Sequence, residues 1–278
     1  MEKLYTMVAE RLGLSATAVK AVAELLDEGA TVPFISRYRK ERTGSLDEVA
    51  VRDIETTLKS VAELIARKEF VAQAIENAGA LTPDLKRRLD EAKTITEVED
   101  IYLPFKPKKR TRATIARDKG LEPLATIIML GRNTDPSSAA ARFKGKDVKD
   151  EEEALAGATD IIAEWASEST RLRNITRNTY RRNGSLGSTI AKGKEEELAA
   201  GPYAQYAEFS KDIRHMSSHQ YLALRRAERE GLLKVKYTLS NGADTLDESL
   251  TRAFLPPNAS RGCSEVIADA VADASKRL

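Results

Sequence analysis

Five cations crowd into seven residues: Lys106, Lys108, Lys109, Arg110 and Arg112, on a segment that begins Leu103-Pro104-Phe105. Pro104 and Pro107 exclude helix and hold the backbone extended. A stiff, extended basic ribbon can track phosphates, with an affinity that falls steeply as salt rises. The plain alternative is a solvated basic loop, or one clamped by acids such as Glu97, Glu99 and Asp100. A second cluster sets Arg37, Arg39, Lys40 and Arg42 around one anion, Glu41. It is a further candidate for nucleic-acid contact. Because Arg37 and Tyr38 neighbour Phe34 and Ile35, part of it is expected to brace the core through its aliphatic stems.

Other residues invite chemistry and give little. Arg173, Arg177 and Arg181 fall on one helical face, and pairing with the acidic run 147–153 is favoured over nucleic-acid contact. His215 and His219 are four apart, but no HExxH motif surrounds them and Cys263 is the lone thiol. Ser217 and Ser218 beside His219 make no triad, since adjacency in sequence does not create nucleophile geometry. Gly187 to Lys194 misses phosphate-loop spacing by one, with Glu195 where a metal-binding hydroxyl is required. No catalytic cluster, cofactor or metal site is expected.

The elements that must position these residues are helical. Of 278 residues, 32% are charged and 5% aromatic, with a net charge of +2, so any nucleic-acid affinity must come from clustered charge. A single cysteine fits a reducing cytoplasm, and no apolar run approaches a membrane span. The expected fold is mainly α: a multi-helix bundle with a helix-turn-helix-like unit, a long spine helix and a minor β element near 185–192 and 232–239. Helices over 3–12, 16–28 and 33–40 form the opening unit. Gly44 stops the third, and Ser45 with Glu48 has capping-box spacing, so the spine is expected from Leu46 to Asn77, about 48 Å long. Thr96 and Glu99 suggest a second capping box. The alternation Leu233, Val235, Tyr237, Leu239 predicts a strand whose partner lies within 185–192. Two domains are expected, 1–184 and 185–278, and the helix reaching Arg277-Leu278 without a stop signal suggests a truncated chain.

The run Val32-Pro33-Phe34-Ile35-Ser36-Arg37-Tyr38-Arg39-Lys40-Glu41 with Thr43-Gly44-Ser45-Leu46-Asp47-Glu48 resembles the N-terminal signature of the bacterial Tex transcription-accessory proteins. Glu99 to Arg117 resembles a second motif. Ala154-Leu155-Ala156-Gly157-Ala158 with Asp160 to Glu164 is similar to a third, and Ser218-His219 with Leu222-Ala223-Leu224 to a fourth. The departures are Arg42, where the family usually has a small residue, and Gln220, where arginine is common. The resemblance implies a helical N-terminal region, followed in the family by an RNase H-like domain thought to lack nuclease activity, helix-hairpin-helix motifs and an OB-fold RNA-binding module. It also implies RNA or DNA as partner, possible contact with RNA polymerase and with those C-terminal domains, and no enzyme activity. The alternative is a non-catalytic scaffold whose helical faces dock other domains or polymerase.

Overall fold

The computed structural model describes residues 1–106, 110–131, 135–240 and 242–278. By packing the chain divides into two units, Met1–Lys106 and Pro107–Leu278, so the strands expected to open a second segment lie within the second unit. The fold is mainly α, with sixteen α-helices and three strands among the described residues.

The first unit holds α1 (Glu2–Leu12), α2 (Ala16–Asp27), α3 (Val32–Tyr38), α4 (Lys40–Thr43), α5 (Glu48–Asn77), α6 (Pro83–Glu91) and α7 (Ile95–Tyr102). Ser15 caps α2 by accepting from Ala18 N–H at 3.1 Å. The α5 spine is about 45 Å long. Its apolar stripe serves two cores. Val51, Ile54 and Val61 meet Val8, Val19, Val22, Leu25 and Ile35 of α1 to α3. Leu64, Val71 and Ile75 meet Leu89, Val98, Ile101 and Tyr102 of α6 and α7.

Two caps sit elsewhere than the spacing predicts. Ser45 is in the left-handed region at φ 65°, where its hydroxyl cannot serve the next helix; Asp47, extended, caps α5 through Ala50 N–H at 2.8 Å. Thr94 with Glu97, two residues before the expected pair, forms the capping box of α7. That shift leaves Glu99 free for other partners.

The second unit holds α8 (Arg112–Asp118), α9 (Glu122–Leu130), α10 (Pro136–Ala140), α11 (Glu151–Glu168), α12 (Thr170–Asn183), β1 (Gly184–Ile190), α13 (Glu195–Ala199), β2 (Phe209–Asp212), α14 (Ser218–Arg229), β3 (Leu233–Leu239), α15 (Ala243–Phe254) and α16 (Arg261–Ser275). Its larger core gathers Leu124, Ile128, Ile161, Ile162, Leu172, Leu250, Ile267 and Val271. The antiparallel sheet has the order β2-β1-β3, with Leu186 opposite Tyr237 and Ser188 opposite Val235. The pairing expected between 185–192 and 232–239 is therefore present, and β2 joins on the other edge of β1. At the junction of α12 and β1, a Cβ on Gly184 would stand 2.2 Å from the Tyr180 carbonyl oxygen and 2.7 Å from Ile213 Cδ1. Only glycine fits that close approach.

Candidate nucleic-acid interface

The cationic turn between α3 and α4 is built by a helix too short to bury more than one stripe. Pro33 stands in the first turn of α3, and Val32, Ile35 and Ser36 face inward. Phe34, Arg37 and Tyr38 are left outward. Phe34 is 39% and Tyr38 63% exposed, so the rings beside the cations stand outside the core. Their centroids lie 5.4 Å apart, and the Arg39 guanidinium sits 5.0 Å from the Phe34 ring centre. Arg39 also donates to the Tyr38 carbonyl at 3.1 Å. Gly44, at φ 69°, closes α4.

The four cations of this turn divide by partner. Arg42 reaches back to α2, 3.5 Å from Glu24 and 3.6 Å from Glu28. Arg39 is half-buried against Phe34. Arg37 and Lys40 are exposed and make no ion pair among the described residues.

The extended backbone expected around Lys106 to Arg112 gives way to helix at both described ends. Pro104 sits in the first turn of a 3-10 helix, Leu103–Phe105, where its missing N–H costs no hydrogen bond, and Arg112 opens α8 behind the Thr111 cap. Lys106 pairs with Glu99, which also accepts from Arg67 Nε at 2.5 Å. Both cations lie over the Tyr102 ring, Lys106 Nζ at 5.4 Å and the Arg67 guanidinium at 5.7 Å, and Arg67 stacks on Phe70 at 4.7 Å. The Arg67 hydrogen bond, reinforced by Lys106 against the opposing pull of burial, holds the Glu99 carboxyl below its ordinary range. At the other end Arg112 lies 3.2 Å from Asp160 and 3.1 Å from Asp273. Thr111 caps α8 through Thr114 N–H at 3.0 Å and donates to the buried Glu164 at 3.3 Å. Glu164 in turn binds Arg117 at 2.5 Å. Arg110 is exposed without an ion pair among the described residues. Lys108 and Lys109 lie outside the described residues.

Of the acids the sequence offers as a clamp for the basic segment, Glu99 holds Lys106. The pairing of Arg112 with Asp160 and Asp273, and of Arg42 with Glu24 and Glu28, was beyond the reach of the sequence. The signal for Arg67 was its position three before Phe70, which sets guanidinium and ring on one helical face. The exposure of Phe34 and Tyr38 was legible only given the length of α3.

The remaining candidates separate. In the acidic run, Glu151 pairs with Lys144 at 2.7 Å and Glu153 with Lys119 at 2.5 Å; among their contacts, Arg173 donates to the Ser167 carbonyl and Arg177 to Asn174. His219 Nε2 is 3.3 Å from Ser217 Oγ at the exposed start of α14, and His215 lies 3.6 Å from Asp212. Gln220 holds that helix start by accepting from Ser217 N–H at 3.3 Å, and takes a second bond from Lys211 at 3.0 Å. A capping amide therefore fills the position where the resemblance leads to an expectation of arginine. Among the described residues no group of three or more His, Cys, Asp or Glu side chains is arranged to hold a metal ion. No helix among them is long and apolar enough to cross a membrane.

Comparison with known proteins agrees with the family resemblance: the first motif lies within one matched region and the third and fourth within another. Residues 2–76 match the Tex-like protein N-terminal domain, and residues 131–276 match the Tex central region-like family. Protein tex of Bordetella pertussis is 39% identical, with 85% of this chain and 30% of that protein covered. Transcriptional accessory protein Tex of Neisseria gonorrhoeae is 36% identical over 82% of this chain and 30% of its own length. The human S1 RNA-binding domain-containing protein 1 is 27% identical, with 85% of this chain and 24% of that protein aligned. The chain thus spans between a quarter and two fifths of such relatives, 38% at most among those compared. With both its N-terminal and its central regions matched in order, the chain belongs to the Tex family.

Proposed function

We propose that this chain is the N-terminal part of a transcription-accessory factor, contacting RNA or DNA phosphates through its basic segments without catalysing a reaction. The observation that carries this reading is the unequal pairing of its cations. Arg37, Lys40 and Arg110 are exposed and free of carboxylates among the described residues, while Arg42, Lys106 and Arg112 are held by Glu24, Glu28, Glu99, Asp160 and Asp273. Exposed, unpaired cations are the ones a phosphate can engage without first breaking an ion pair. Lys108 and Lys109, read from the sequence alone, are proposed to add to these contacts, and Arg39 contributes from its stacked position. The opening helices α1 to α3, joined by tight turns, supply a helix-turn-helix-like frame for the first cluster. Names of relatives support a role in transcription: one is a transcriptional accessory protein, another carries an S1 RNA-binding domain in its name. The proposed setting is the cytoplasm, with RNA polymerase and the remainder of a longer family protein as further partners.

A second reading rests on the paired cations. Those salt bridges knit each unit internally, as befits a helical scaffold that docks other domains or polymerase. Charge reversal separates the two readings. A chain carrying Arg37→Glu, Lys40→Glu and Arg110→Glu, still folded by circular dichroism, is expected to lose low-salt retention of RNA and DNA oligonucleotides. Arg42→Gln is expected to keep it. Retention unchanged by the triple reversal would leave the scaffold reading standing.

A further inference from the structure

The outward face of α3 is more than a patch of charge. Phe34 and Tyr38 are four residues apart and so share one side of the helix, with Arg37 beside them at three residues from Phe34. Both rings are open to solvent in a unit whose other large apolar side chains on α3 are buried: Ile35 is 0% exposed, Phe34 39% and Tyr38 63%. The Arg39 guanidinium lies over the Phe34 ring, and the Tyr38 ring contacts the same phenyl group at 5.4 Å. Three flat π-bearing groups therefore stand together. Around them are the free charges of Arg37 and Lys40, with Glu41 the one acid from Phe34 to Arg42.

We propose that Phe34, Tyr38 and Arg39 form a base-stacking platform for single-stranded nucleic acid, with Arg37 and Lys40 holding the adjacent phosphates. This rests on the nucleic-acid reading given above and specifies the strand state it favours. In a duplex the base faces are already covered by neighbouring bases. Exposed rings gain nothing from them. Unstacked bases offer a free π-face, and aromatic rings and guanidinium planes are the groups that receive it. The charge is complementary as well, since Arg37 and Lys40 stand exposed beside the rings without an ion pair among the described residues and can meet phosphates directly. Base stacking is tolerant of sequence, so discrimination between bases is not expected to be strong.

The test uses the full 278-residue chain and three fluorescein-labelled probes: a twelve-nucleotide oligouridylate, the matching oligothymidylate and an RNA duplex. Wild-type chain is expected to bind both single strands more tightly than the duplex. Phe34→Ala or Tyr38→Ala should each lower single-strand affinity about ten-fold. Duplex affinity should change less than about two-fold, because the phosphate contacts persist. Phe34→Leu with Tyr38→Leu keeps apolar bulk without the π-system, and a loss matching the alanine variants supports stacking. Tyr38→Trp should retain binding, with its indole emission quenched by bound oligonucleotide. Equal single-strand affinity in wild type and the alanine variants would overturn the platform while leaving phosphate contact intact, and would point the rings toward a protein partner. A wild-type preference for duplex would overturn it too. Absence of binding to all three probes at low salt would remove the nucleic-acid reading itself, and the platform with it.

Discussion

Glu99→Gln isolates the ion-pair cluster that ties Lys106, the first cation of the basic segment, to α5 and α7. The carboxylate accepts from Arg67 and from Lys106, and the three side chains are 31%, 31% and 36% exposed. A charge-assisted hydrogen bond in a protected setting contributes about 1.5–3 kcal/mol. A fully solvated pair contributes about 0.2–1 kcal/mol. With a third of each side chain wet, about 1 kcal/mol per bond is reasonable, so the variant should lose about 2 kcal/mol of stability at pH 7. Urea unfolding followed by far-ultraviolet circular dichroism measures it. The pH dependence carries a sign. Because the Arg67 hydrogen bond, joined by Lys106 and opposed by burial, depresses the folded-state pKa of Glu99, its contribution is complete above the unfolded glutamate value near about 4.3 and is lost as pH falls through the lower folded value. The gap between wild type and variant should therefore be full at pH 7 and shrink below about pH 4. A gap of equal size at pH 7 and pH 3 would refute the electrostatic account of this cluster.

Other consequences follow from the same contacts. Glu99→Gln also frees Arg67 and Lys106, so the salt dependence of single-strand binding should steepen by up to about 0.7 in logarithmic slope for each cation, read by anisotropy titrations at several salt concentrations. Glu164→Ala strips the partly buried Arg117 of its main partner and Thr111 of an acceptor, and should cost about 2–3 kcal/mol in urea unfolding. Gly184→Ala would drive a methyl group into the Tyr180 carbonyl, and should cost about 1–3 kcal/mol or block packing of β1 against the end of α12.

Much of the helical layout was legible because the chain repeats its apolar residues at helical spacing and punctuates them with Ser15, Pro33, Gly44 and Thr82-Pro83. The caps were harder. Ser45-x-x-Glu48 and Thr96-x-x-Glu99 both satisfy the capping pattern, yet overlapping registers in Asp47 and in Thr94-x-x-Glu97 won. In the first case Gly44 and Ser45 are both left-handed, which moves the helix start along the chain. In the second, Glu99 was drawn to Arg67, a partner 32 residues away that no local window contains. The strand β2 is four residues long and exists through its pairing with β1, so alternation had nothing to register. The candidate site was half legible. Clustered cations are visible in a sequence, but which of them a carboxylate neutralises depends on tertiary contacts such as Arg42 with α2 and Arg112 with α16.

The most direct test of the central claim, that free cations on this chain engage phosphates, is the salt dependence of its affinity for single-stranded RNA. Arg37, Lys40 and Arg110 together predict a slope of about −2 in log affinity against log salt, steeper by about 0.7 for each of Lys108 and Lys109 that takes part. Arg37→Glu with Lys40→Glu should flatten it by about 1.4 or more, an affinity loss on the order of 25-fold at 0.1 M salt. A wild-type slope near zero, or the same slope in the double variant, would contradict it.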